Sequence, residues 1–139
     1  MQADFLDAHK RHWEDAERLF QAQRWANADH LYGMAAECGL KRLMQAFGMP
    51  LDVSKDRPLK QEDRVHANGV WTRFESYRQG HVQGTGYLLS TTSCFSTWDI
   101  SDRYAHQSSF DQPRAQAHQT GALAVCELIK KAQREGFLI

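Results

Sequence analysis

Arginine and histidine recur in this chain at spacings that let two side chains address one phosphate. Arg103 and His106, Arg114 and His118, and Arg24 and His30 are the pairs in question. A guanidinium neutralises phosphate oxygens through parallel hydrogen bonds, and an imidazole can take a proton from a ribose hydroxyl near neutral pH. Positions three or four apart share one face of a helix. Arg103 with His106, and Arg114 with His118, could therefore each meet one ligand, with Asp102 and Tyr104 placed to orient the first pair. Each pair also has a structural reading. Trp98 and Tyr104 could form a packed corner with Arg103 bridging to a buried acid such as Glu37. His118 lies on an apolar stripe between Ala115 and Ala122, as a hydrogen-bonded core or dimer-interface histidine would. His30 could flank a helix start.

Glu37 and Lys41 stand one helical turn apart, with the acid on the favoured N-terminal side. The helix around them is so apolar that the pair is expected to be half-buried, within reach of Arg103 or His118. The seven histidines include no HExxH or Cys/His set, so no metal site and no cofactor are expected. Gly80–Gly86 lacks the GK[ST] of a phosphate loop and follows no strand. Lys55, Arg57, Lys60 and Arg64 form a basic cluster, diluted by Asp52, Asp56, Glu62 and Asp63 into a mixed-charge surface.

Helices must position these residues. From Asp4 to about Gln23, Leu6, His9, Trp13, Ala16 and Phe20 repeat at helical spacing, with charges opposite. A second helix, with Asn27 or Asp29 as its N-cap, runs to Phe47 and stops at Gly48-Met49-Pro50. It is apolar over most of its circumference and must lie between other helices. Residues 50–60 read as a surface loop. A third helix is expected from Gln61 to Gly80, with Ala67, Val70, Phe74 and Tyr77 inward and Trp71 beside them. Tyr87–Phe95 reads as a short helix or irregular packed segment. Ser96–Asp99 has a capping-box shape, opening a short helix to about His106. Pro113 begins the last helix, on which Ala115, His118, Ala122, Val125, Ile129 and Ala132 form the inward stripe. The expected fold is all-α, an up-and-down four-helix bundle in one domain, 1–139, with an extra short helix before the last long one.

At 139 residues the chain can bury one core without staples. Its 17 basic and 17 acidic residues cancel, so no overall field pulls it to nucleic acid or an anionic membrane. Cys38, Cys94 and Cys126 are odd in number, far apart and in apolar contexts, which reads as reduced buried thiols in a cytoplasmic protein. No segment reaches the ~18 apolar residues of a membrane span.

The run His30-Leu31-Tyr32-Gly33-Met34-Ala35-Ala36-Glu37-Cys38-Gly39-Leu40-Lys41 resembles the second helix of HEPN domains, the higher eukaryote and prokaryote nucleotide-binding family. Trp98-Asp99-Ile100-Ser101-Asp102-Arg103-Tyr104 resembles the segment before their last helix, and the helix order fits over most of the chain. The resemblance implies a prokaryotic toxin–antitoxin or phage-defence protein that binds RNA, a nucleotide or a partner through a dimeric bundle. Nucleotidyltransferases and antitoxins are the partners it implies. The alternative it implies is a metal-independent endoribonuclease, in which Arg103 or Arg114 stabilises the phosphate and His106 or His118 deprotonates the 2′-hydroxyl. Active members carry four to six residues between their Arg and His. Here Arg103 and His106 enclose two, Arg114 and His118 three, and Arg24 and His30 five, at the second helix instead of the last. For a non-catalytic member, the Ala115–Ala132 stripe is the expected docking face.

Overall fold

The structure is a computed structural model and describes residues 1–89 and 92–138. Among these the chain is mostly helical, with four α-helices: α1 (Phe5–Gln21), α2 (Trp25–Ala46), α3 (Ala67–Gln79) and α4 (Gln112–Arg134). Asp4 caps α1 by accepting from the Asp7 amide, and Asp111 caps α4 by accepting from the Arg114 amide. Pro113 falls in the first turn of α4, where its missing N–H costs nothing.

The centre of the fold is α2. Helices α1, α3 and α4 each pack on it, and its residues are buried almost without break from Tyr32 to Met44. Small side chains make this possible. A Cβ on Gly33 would overlap the Trp98 indole, and one on Gly39 would lie 2.5 Å from Val125 and 2.7 Å from His9 Nδ1. Ala35 and Ala36 are fully buried between them. The core around this helix takes Leu40, Leu43 and Met44 from α2, Val70 and Phe74 from α3, and Val125 and Ile129 from α4.

Several expected boundaries move. Helix α2 begins at Trp25, so Asp29 is not an N-cap but lies a full turn inside, with none of its surface exposed. The loop after α2 contains a two-residue antiparallel ladder, β1 (Leu51–Asp52) with β2 (Arg57–Pro58), in the register Leu51↔Pro58 and Asp52↔Arg57. The third helix does not start at Gln61. A 3₁₀ turn covers Gln61–Asp63, His66 is extended, and α3 begins at Ala67. Asp63 causes the break: its buried carboxylate accepts from Arg73 Nε (2.6 Å) and the Tyr77 hydroxyl (2.5 Å) instead of capping a continuous helix. The capping box belongs to Asp99 and Asp102, not to Ser96–Asp99. It opens a 3₁₀ turn, Ile100–Tyr104, and no α-helix reaches His106. Tyr87–Leu89 and Thr92–Phe95 are irregular, and Tyr87 and Phe95 are buried. Within that segment, Ser90 and Thr91 lie outside the described residues.

The stripe of α4 packs inward as expected, with Ala115, Ala122, Val125 and Ala132 fully buried. It fills the interior of this one chain, so it is not a docking face. Cys38 and Cys126 are buried thiols pushed up to about 12 by burial, while Cys94 is only partly buried.

Gly33→Ala is expected to destabilise the fold by about 1–3 kcal/mol or more, because the new methyl must displace a fully packed indole. Gly69→Ala, whose methyl would meet Val65 Cβ at 3.4 Å, is expected to be neutral or mildly stabilising. Urea unfolding of the two variants against the parent checks the contrast.

Candidate functional site

Asp29 organises the junction of α2, α4 and the 97–102 segment. A fully buried carboxylate needs compensating partners, and it has two on α4. His118 Nδ1 donates to Asp29 Oδ1 at 2.5 Å, and Arg114 Nε lies 3.5 Å from Oδ2. Arg114 and His118 are one turn apart on α4, so both reach the same acid. The second nitrogen of His118 faces the Thr97 hydroxyl at 3.4 Å, and its ring stacks on Phe95 with centroids 5.2 Å apart. Arg114 Nη2 donates to the Thr97 carbonyl (2.9 Å) and to Asp102 Oδ2 (3.1 Å). Trp98 Nε1 donates to the Asp29 carbonyl at 3.2 Å, and its indole stacks on His30.

Arg114 and His118 are thus brought together, as their spacing predicted. His118 is only 1% exposed, however, with both ring nitrogens engaged. It offers no free nitrogen to a ribose hydroxyl from solvent. Among the described residues, the buried side-chain atoms without a hydrogen-bond partner are Asp29 Oδ2, His30 Nδ1 and Arg114 Nε. Two belong to the Asp29–Arg114 ion pair and the third to the neighbouring residue.

A second polar centre lies further along α2. Glu37 and Lys41 are each 6% exposed, and their side chains pair at 3.1 Å. Glu37 Oε1 takes His66 Nδ1, also at 3.1 Å. The expected pairing of Glu37 with Arg103 or His118 is not the one formed: His118 is committed to Asp29, and the exposed Arg103 lies over the Tyr104 ring. His30 and His12 stand near Glu37, and burial holds both imidazoles below their ordinary value. Neighbouring positive charge, from Arg103 on His30 and Arg11 on His12, acts the same way. No group of three or more metal-type ligands forms among the described residues.

Arg103, Tyr104 and His106 stay on the surface. Tyr104 is 78% exposed, with the Arg103 guanidinium 4.9 Å from its ring centroid. His106 caps the 3₁₀ turn Gln107–Ser109, its Nδ1 accepting from the Ser108 amide at 3.1 Å. Asp102 serves Arg114 and the Asp99 amide instead of orienting Arg103. Arg24 and His30 do not act together. Arg24 precedes α2 beside an open cavity, while His30 faces Trp98.

Sequence reasoning missed Asp29 and Thr97. The signal for Asp29 was present: an acid between Ala28 and Tyr32 on an otherwise apolar face demands a buried cation or donor. Nothing local marks Thr97, because its partner is a helix away in sequence.

No known protein family, characterised protein or solved structure matches this chain. No helix among the described residues is long and apolar enough to cross a membrane.

Two measurements probe this region. Asp29→Ala removes the acceptor of His118 and one of the two carboxylates that face Arg114, which keeps Asp102. Leaving the buried His118 nitrogen without its acceptor costs about 1–3 kcal/mol, read as a lower urea midpoint. His9 donates Nδ1–H to the Ala35 carbonyl at 2.8 Å, and burial lowers its pKa from the ordinary 6.5, as it does for His12 and His30. Below 6.5 the unfolded chain therefore binds protons that the folded chain resists. Stability is complete above that pH and falls as pH drops through it. Unfolding at about pH 7.5 and about pH 5.5 should show the loss, and His9→Gln should shrink the difference between them.

Proposed function

We propose that this chain is a HEPN-like up-and-down four-helix bundle that works as a homodimer and binds single-stranded RNA at the Arg103–His106 surface. The observation that carries the reading is the exposed Tyr104 ring with the Arg103 guanidinium above it. The side of the ring away from the guanidinium is free to stack on any base, and the guanidinium adds phosphate charge. The ring is displayed on a turn held by the Asp99–Asp102 capping box. Arg114 anchors the turn from behind through Asp102 and the Thr97 carbonyl. Neutral overall charge fits a local patch better than a long electrostatic groove.

Binding is favoured over cleavage because His118 is sealed against solvent and His106 spends its Nδ1 on capping the Gln107–Ser109 turn. A role in toxin–antitoxin or phage-defence systems, beside a nucleotidyltransferase or antitoxin partner, follows from the HEPN resemblance alone.

Fluorescence anisotropy with a labelled single-stranded RNA, in EDTA, tests the reading. Tyr104→Ala should weaken binding by about 1–3 kcal/mol. Arg103→Ala should weaken it and flatten its salt dependence. Absence of binding, or binding indifferent to both changes, overturns the assignment. Cleavage of the RNA that disappears in His106→Ala would replace binding with metal-independent catalysis.

A further inference from the structure

A cavity of about 370 Å³ opens where the start of α2 faces residues 105–110. Its walls include Gln23, Arg24, Trp25, Asn27, Gln107 and Phe110, and no acidic residue lines it. The volume lies at the lower end of the range for small-molecule sites.

We propose that this cavity is an adenine-nucleotide subsite. The inference rests on the nucleic-acid-binding reading above and names the ligand that its neighbouring pocket selects. Trp25 provides the ring surface, and the buried Phe110 backs the wall. Both are held in place: Trp25 by an edge contact with Phe20 (centroids 5.0 Å apart), and Phe110 by the Arg114 guanidinium 5.4 Å from its centroid. Three carboxamides, on Gln23, Asn27 and Gln107, share the walls. A carboxamide carries a donor and an acceptor side by side, which matches the N6 and N7 edge of adenine. Guanine is matched by a guanidinium or ammonium on O6 and N7, and the charged group here is the single Arg24. With the carboxamides on the base, Arg24 is left for the phosphate, which it can grip bidentately. The first turn of α2 carries no carboxylate to repel that phosphate. Tyr104 and the cavity wall at Ala105 adjoin in sequence, so a strand stacked on Tyr104 could place its next base here.

Isothermal titration calorimetry on the full chain with AMP, GMP, CMP, adenosine and inorganic phosphate tests the subsite. AMP is expected to bind at least about tenfold more tightly than CMP, adenosine or phosphate alone, about 1.4 kcal/mol. Arg24→Gln should remove the advantage of AMP over adenosine. Asn27→Leu with Gln107→Leu should remove the advantage of AMP over CMP. Far-UV circular dichroism of each variant identifies any that fail to fold, and Arg24→Lys then serves as the second phosphate probe. AMP binding no tighter than phosphate, affinity unmoved by the cavity changes, or a preference for GMP overturns the subsite. If the cavity fails these tests while RNA still binds through Tyr104, the broader reading survives. If AMP binds as expected but RNA does not, the broader reading fails and the subsite remains.

Discussion

One carboxylate holds the junction of this fold together. Asp29 sits a turn inside a helix that is otherwise built for apolar contact, and it has no exposed surface. A charge there must be compensated, and the compensation fixes where two other parts of the chain can go. The Arg114 and His118 side chains bring the start of α4 to α2, and Arg114 then ties the 97–102 segment to the same point. Trp98 closes the junction from the other side, in space that Gly33 leaves free. Electrostatics and packing therefore favour the same arrangement.

The surface features inherit their rigidity from this junction. The Ile100–Tyr104 turn is held by its own capping box and by Asp102 on Arg114. That turn projects Arg103 and Tyr104 outward. Phe110, under the Arg114 guanidinium, forms one wall of the neighbouring cavity. A residue that looks catalytic by type, Arg114, is thus spent largely on positioning, and the residues open to a ligand are the less conspicuous ones around it.

Much of the helical framework was legible from local pattern. The helical spacing of Leu6, His9, Trp13, Ala16 and Phe20, the continuous apolarity of α2 and the inward stripe of α4 each mark one element, because a helix must bury its apolar face. Pro50 and Pro113 marked ends for the same local reason. Boundaries went wrong where a side chain answered to a distant partner. Asp29 looked like a cap and is a buried acid. Asp63 looked like the first turn of a helix and instead binds Arg73 and Tyr77.

The pairing of Arg114 with His118 was visible in their four-residue spacing, but their common partner was not. Glu37 with Lys41 was likewise visible, and the third member, His66, was not. By itself the sequence determined that the chain is helical, that α2 is central, and which residues share a helical face, since all of these follow from hydrophobic period and helix stops. Only tertiary structure decided which of the arginines and histidines are sealed inside and which are displayed. Burial depends on contacts between segments far apart in the chain, and no local spacing encodes them.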